Sequence, residues 1–278
     1  MLLAMPQMPG AQRCLVDVQT TSILGNLAYD NVRKSEFIKT PLKQTPTGWQ
    51  FRVELVQFNQ EETGGLARLD SDTLQLRNNM LVETDHTGQL IRILNKEELR
   101  LKWAALRPSL LHKYSHDEQI TPVMIEAIGY VLNGDGYLEE TLNRGYEYSL
   151  LFPPLYTKNY TEKPIASRPR IIARFLGDLN LTFTTTATQR TDLPPDAAYG
   201  VFMEGAVDKA TYPTEAVRQG LRNITDEPLL DTTLNAQHME SYEFDASSNL
   251  LYGAQSTMYG VSGVFFTRNV ATIQASLL

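Results

Sequence analysis

The chain has 278 residues, 42% of them hydrophobic and 21% charged, enough apolar material for one large core and far from a disordered composition. Its formal charge of −7 is unevenly placed, because residues 180–278 carry eleven acidic and five basic side chains. An acidic surface repels a phosphate backbone, so nucleic acid is not an expected partner.

A single cysteine, Cys14, excludes an intrachain disulfide and fits a reducing compartment. The opening residues Met1 to Pro6 lack a charged region followed by a long apolar run. No stretch approaches the roughly 20 apolar residues of a membrane-spanning helix. The expectation is therefore a cytoplasmic protein, or a periplasmic or envelope one if a leader has been removed.

In chain order, strands come first. Trp49, Phe51, Val53 and Leu55 alternate with Gln50, Arg52 and Glu54, the period of two expected of a strand with one buried face. The alternation slips at Val56 and Phe58, which marks a bulge or burial of both faces. Met80 to Leu94 predicts a hairpin about the turn Asp85-His86-Thr87-Gly88.

Helices occupy the middle. Asn95 and Glu98 have the spacing of a capping box, Leu99, Trp103 and Leu106 follow at helical intervals, and Pro108 is expected to kink or end that helix. Thr121-Pro122 is a helix start, and Asn133-Gly134 its stop. A short helix is expected from Gly136 to Asn143, with Asp135 as its cap. Pro213 to Asn223 reads as a last helix with Ala216, Val217 and Leu221 inward. Strands return over Ile171–Thr186 and Ala198–Val207, then as two hairpins, Tyr242–Asp245 with Leu250–Tyr252 about a polar turn, and Gln255–Tyr259 with Val264–Ile273 about Gly260 and Gly263.

Strands, a helical block, then strands predict an α+β fold with a curved antiparallel sheet, an incomplete barrel, wrapped around a central helical block. The expected organisation is a single domain over 1–278. A division into two lobes is left open, with 1–150 strands then helices and 151–278 mainly strands.

Motifs for chemistry are sparse. Asn133-Gly134-Asp135-Gly136 imitates the middle of an EF-hand loop, but its outer ligand positions fall on Val131 and Leu142, so no calcium cage is expected. His112 and His116 stand four apart, a spacing that can present two imidazoles to a zinc ion, with Asp117, Glu118, His86 or His238 as further ligands. The glutamate of HExxH is missing, since residue 113 is lysine. Gly260-Val261-Ser262-Gly263 lacks the strand–turn–helix context of a nucleophile elbow. Neither phosphate-binding glycine motif occurs, so no cofactor is expected.

Aromatic side chains carry more information. Tyr146, Tyr148, Phe152, Tyr156 and Tyr160 fall within fifteen positions, interleaved with leucines. Tyrosine suits a half-wet cavity wall or a lid packed over a sheet. With Trp103 they form the candidate ligand-binding set.

The hairpin Glu83 to Leu90, the helix from Lys96 to Leu106 and the closing hairpin around Phe244 to Tyr252 give the chain an arrangement similar to that of periplasmic lipoprotein carriers and related bacterial domains of unknown function. That resemblance implies a half-barrel around a helical plug. Three readings follow in order. The first is a non-enzymatic binding or carrier protein for an apolar ligand or acyl chain. The second is a structural or adaptor protein acting through protein–protein contacts, with Asp226, Glu227 and Asp231 on its acidic surface. The third is a metal-dependent hydrolase built on His112 and His116.

Overall fold

A computed structural model describes residues 2–7, 9–61, 64–160, 163–225 and 233–278. Asp226, Glu227 and Asp231 lie outside the described residues. The elements are β1 (Leu2–Leu3), β2 (Gln12–Leu24), β3 (Leu27–Gln44), β4 (Trp49–Gln60), α1 (Gly65–Asp72), β5 (Asn79–Thr84), β6 (Leu90–Ile93), α2 (Lys96–Lys113), α3 (Pro122–Asn133), α4 (Tyr137–Arg144) and α5 (Tyr146–Leu151). They continue with β7 (Lys158–Asn159), β8 (Ile165–Ala166), β9 (Arg170–Leu176), β10 (Leu179–Gln189), β11 (Tyr199–Val207), α6 (Thr214–Thr225), β12 (Leu234–Phe244), β13 (Leu250–Val261) and β14 (Phe265–Leu277).

The fold is α+β, as the element order predicts. Twelve strands form one open sheet in the order β6-β5-β4-β3-β2-β14-β13-β12-β11-β10-β8, with β9 also on β10, and β1 pairs β7 separately. Among the described residues no helix is long and apolar enough to cross a membrane.

The chain divides into two compact units. The first contains Met1–Ala4, Val18–Asn31 and Thr157–Ile273, and the second contains Met5–Asp17, Val32–Tyr156 and Gln274–Leu278. In the first unit, Val217 and Leu221 lie one turn apart on α6 and are buried with Leu181 and Phe183 of β10 and Tyr259 and Val261 of β13. Two-residue spacing on the strands and four-residue spacing on the helix bring one face of each together. Each such side chain contributes about 1.5–3 kcal/mol by leaving water. Ala216 is exposed rather than inward, because it sits one position round the helix from Val217, outside the buried stripe.

In the second unit Phe51 and Val53 of β4, Met80 and Val82 of β5, and Leu90 and Ile93 of β6 are buried. The slip seen at Val56 is a bulge: Glu36 pairs with Gln57 and Phe37 with Leu55, leaving Val56 as the extra residue, 53% exposed. The turn after β5 is held by Asp85, whose Oδ1 accepts from the backbone N–H of Thr87 at 2.8 Å and of Gln89 at 3.0 Å. Gly88 is required there, because its φ is +90° and a Cβ would meet the Tyr156 ring at 2.7 Å.

The helical block departs from expectation at three points. The Asn95 side chain makes no capping bond; its Oδ1 accepts from Leu81 N at 2.9 Å and its amide donates to Asn79 O, so the start of α2 is tied to β5 instead. Pro108 lies inside α2, which runs on to Lys113. Pro108 and Ala104 are both exposed, and a carbonyl deprived of its N–H partner costs least where solvent can satisfy it. Asp135 does not cap α4, whose N-cap is Gly136 in the left-handed region at φ 75°. Thr121 does cap α3, accepting from Met124 N at 3.4 Å, with Pro122 in the first turn.

Candidate functional site

The second unit contains a crevice of about 380 Å³ among its helices. Four segments supply its walls at helical or strand spacing. Ala127, Ile128, Val131 and Leu132 come from α3, Leu138, Thr141 and Leu142 from α4, Leu99 from α2, and Leu76 and Met80 from the stretch leading into β5. On α3 and α4 these are i, i+3 and i+4 neighbours, so each helix turns one apolar stripe to the opening. The close approach of α2 and α3 depends on Gly129, where a Cβ would lie 2.5 Å from Trp103 Nε1. The α4 wall is fixed by Glu139, whose Oε1 accepts from Ile93 N at 2.9 Å and whose Oε2 pairs with Lys96 Nζ at 2.7 Å.

One end of the crevice is polar, formed by Asp70, Thr73 and Arg77. Arg77 donates to Asp70 Oδ1 at 3.0 Å and to Glu147 Oε2 at 3.2 Å. Ser35 Oγ donates to Glu147 Oε1 at 2.6 Å, and the guanidinium lies over the Phe58 ring, 5.1 Å from its centre. Arg33 Nη1 is 3.8 Å from Asp70 Oδ2. A second crevice, of about 280 Å³ in the first unit, surrounds the β13–β14 turn and is lined by Ile23, Met258, Val264, Phe265 and Phe266 among others. The helical crevice is the larger and combines a long apolar wall with one charged end, the arrangement of an orienting site for an amphiphile.

The aromatic residues singled out from the sequence are dispersed. Tyr146 to Leu151 form α5 rather than a loop. Tyr148 is buried edge-on to Phe37 and 6.4 Å from Phe152, which itself packs on Phe51. Burial holds the Tyr148 hydroxyl well above the ordinary tyrosine range. Tyr146 is half-buried, Tyr156 packs over Gly88, and Tyr160 is buried in the first unit. Trp103 is buried against α3. None of these six is among the described residues that line either crevice.

His112 and His116 are both exposed near the end of α2. His238 is fully buried on β12, with Nδ1 2.8 Å from Thr257 Oγ1 and Nε2 2.8 Å from Glu240 Oε1. Among the described residues no three histidine, cysteine, aspartate or glutamate side chains gather as a metal cage.

The crevice residues of α3 were visible in the sequence as an apolar run but not as a wall. Asp70 and Arg77 gave no signal, since the partner that organises them, Glu147, lies 70 residues from Arg77.

No protein-family model matches the chain, and no curated protein matches it. A solved structure of lipovitellin, described by its lipid–protein interactions, shares the fold with a TM-score of 0.53 at 10% identity. The match covers 97% of this chain and 25% of that one, so the chain spans about a quarter of its length. The likeness in fold is to that protein and not specifically to a periplasmic carrier.

Proposed function

We propose that the protein is a non-enzymatic binding or carrier protein that holds an apolar ligand or acyl chain in the helical crevice of its second unit. The observation that carries this reading is the crevice itself, whose wall from Leu76 to Leu142 is apolar but for Thr141 and the Asp70–Arg77 end. Its volume falls within the roughly 300–1,000 Å³ of small-molecule sites. The fold likeness to lipovitellin, whose structure is described by lipid–protein interactions, supports the same reading.

The test is native mass spectrometry of the purified chain before and after organic extraction, followed by titration with a medium-chain aliphatic probe. One saturable equivalent is expected, and Val131→Trp, which fills the crevice, should abolish it. Saturable binding that Val131→Trp leaves intact would place the ligand elsewhere; absence of any binding would remove the carrier reading.

A further inference from the structure

The polar end of the crevice restricts the head group of its ligand. Asp70 and Arg77 line that end, and a further anion, Glu147, and a further cation, Arg33, pair with them from outside the lining. Arg77 commits one arm to Asp70 and the other to Glu147. Thr73 Oγ1 donates back to the carbonyls of Leu69 and Asp70. What remains is an acceptor: Asp70 Oδ2 is buried and accepts no hydrogen bond among the described residues, and Arg33 at 3.8 Å is an ion-pair neighbour too distant for one.

An incoming carboxylate would have to displace Asp70 or Glu147 from Arg77, or compete with Asp70 for Arg33, and either way one of the crowded carboxylates loses its cation. An ammonium would enter beside two guanidiniums already balanced by the carboxylates. A neutral hydroxyl meets neither obstacle, and it can donate to Oδ2 in a charge-assisted bond.

We infer that the crevice takes a neutral, hydroxyl-headed aliphatic amphiphile, with its hydroxyl on Asp70 and its chain along Leu76, Met80, Leu99, Ile128 and Val131. This rests on the carrier reading above and narrows it to one class of ligand.

The experiment is competitive titration of the delipidated full chain at neutral pH with dodecanol, dodecanoate and dodecylamine, each below its self-association concentration. Dodecanol should bind at least about tenfold more tightly than either charged probe, as a hydrogen bond to an ionised acceptor predicts. Asp70→Asn should shrink that preference while leaving binding of the chain itself detectable, and Val131→Trp should remove all three probes.

Dodecanoate or dodecylamine binding as tightly as dodecanol would overturn the head-group inference and leave the carrier reading standing. So would a dodecanol preference unchanged in Asp70→Asn. If that variant does not fold, the ranking of the three probes on the wild-type chain decides. Failure of all three to bind the wild-type chain would overturn both readings.

Discussion

One buried charge in each unit, Glu240 in the first and Lys39 in the second, is accommodated in a different way. In the first, His238, Glu240 and Tyr242 face inward from alternate positions of β12, across from Thr257 and Gln255 of β13. Glu240 receives the Tyr242 hydroxyl at 2.5 Å and the Gln255 amide at 3.2 Å on Oε2, with His238 on Oε1. Burial alone would raise the Glu240 carboxyl. The His238 bond and charge, the Tyr242 bond and the charge of Arg170 outweigh it and hold the carboxyl at about 2.

In the second unit Lys39 is buried with one oxygen acceptor among the described residues, the Leu151 carbonyl at 3.2 Å, and its ammonium lies 5.4 and 5.3 Å from the rings of Phe51 and Phe152. Ring faces attract a cation but replace less hydration than a carboxylate does, and burial pushes the Lys39 amine below the ordinary lysine range. A set of hydrogen-bond partners keeps the charge of Glu240; an aromatic cage only tolerates that of Lys39.

Substitutions at four positions break or sharpen that contrast, from the largest expected effect to the smallest. Glu240→Leu removes the one acceptor shared by His238, Tyr242 and Gln255, and should cost about 3–5 kcal/mol in urea unfolding, as breaking a buried charge pair does. The wild type should also lose stability as pH falls from the ordinary glutamate range towards about 2: the folded state resists protonation there while the unfolded chain takes up a proton. In Glu240→Gln that acid-side slope should flatten. A slope unchanged in Glu240→Gln would show that the carboxylate is not what the network depends on.

Gly129→Leu drives a side chain into Trp103, 2.5 Å from where its Cβ would stand. The expected loss is about 1–3 kcal/mol by overpacking, accompanied by altered Trp fluorescence and weaker ligand binding if α2 and α3 separate. An unchanged melting curve would mean that the two helices part at no cost.

Gly88 and Ser248 allow a closer comparison. Asp85 N donates to Gln89 O at 2.9 Å and Asp245 N to Asn249 O at 3.0 Å, so a turn of the same size closes a hairpin in each unit. The left-handed position is Gly88 at φ +90° in one and Ser248 at φ 64° in the other. Gly88→Ser should nevertheless cost about 1–2 kcal/mol, because Tyr156 occupies the space a Cβ needs there. Equal stability by thermal unfolding would show that Tyr156 gives way to the added Cβ at no cost.

Lys39→Met should raise stability at neutral pH by about 1 kcal/mol, since it removes a buried charge and keeps the volume. The sign of the pH dependence follows from the lowered pKa. Between the folded and ordinary lysine values the unfolded chain holds more protons, so the wild type gains stability as pH rises through that window. The advantage of Lys39→Met should therefore shrink towards alkaline pH; an advantage that grows would reverse the assignment.

Much of the secondary structure was legible. The alternation in β4, the Asp85 turn, Thr121-Pro122 at the head of α3 and the closing hairpins all rest on short-range rules, which act within a few residues. The errors came where a side chain had a competing partner from elsewhere. Asn95 has the right spacing for a cap but is engaged by β5, and of the two outcomes expected at Pro108, a kink or an end, the end does not occur, because the helix continues on an exposed face. The aromatic run from Tyr146 to Tyr160 was noticeable as composition, yet its rings serve packing in several places rather than one wall.

The sequence by itself determined many of the strands and helices, the residues that turn their hairpins and the apolar face of β4, because periodicity and backbone preference are local properties; β2, β3 and α1, and the β9–β10 reversal inside Ile171–Thr186, emerged only in the fold. Only tertiary structure decided that Asp70 and Arg77 meet Glu147 at the end of a crevice, and that His238 rests against Glu240 and Thr257 inside a sheet. Charges find partners through space rather than along the chain, and burial, which sets what each pairing is worth, is known only once the surrounding layers are in place.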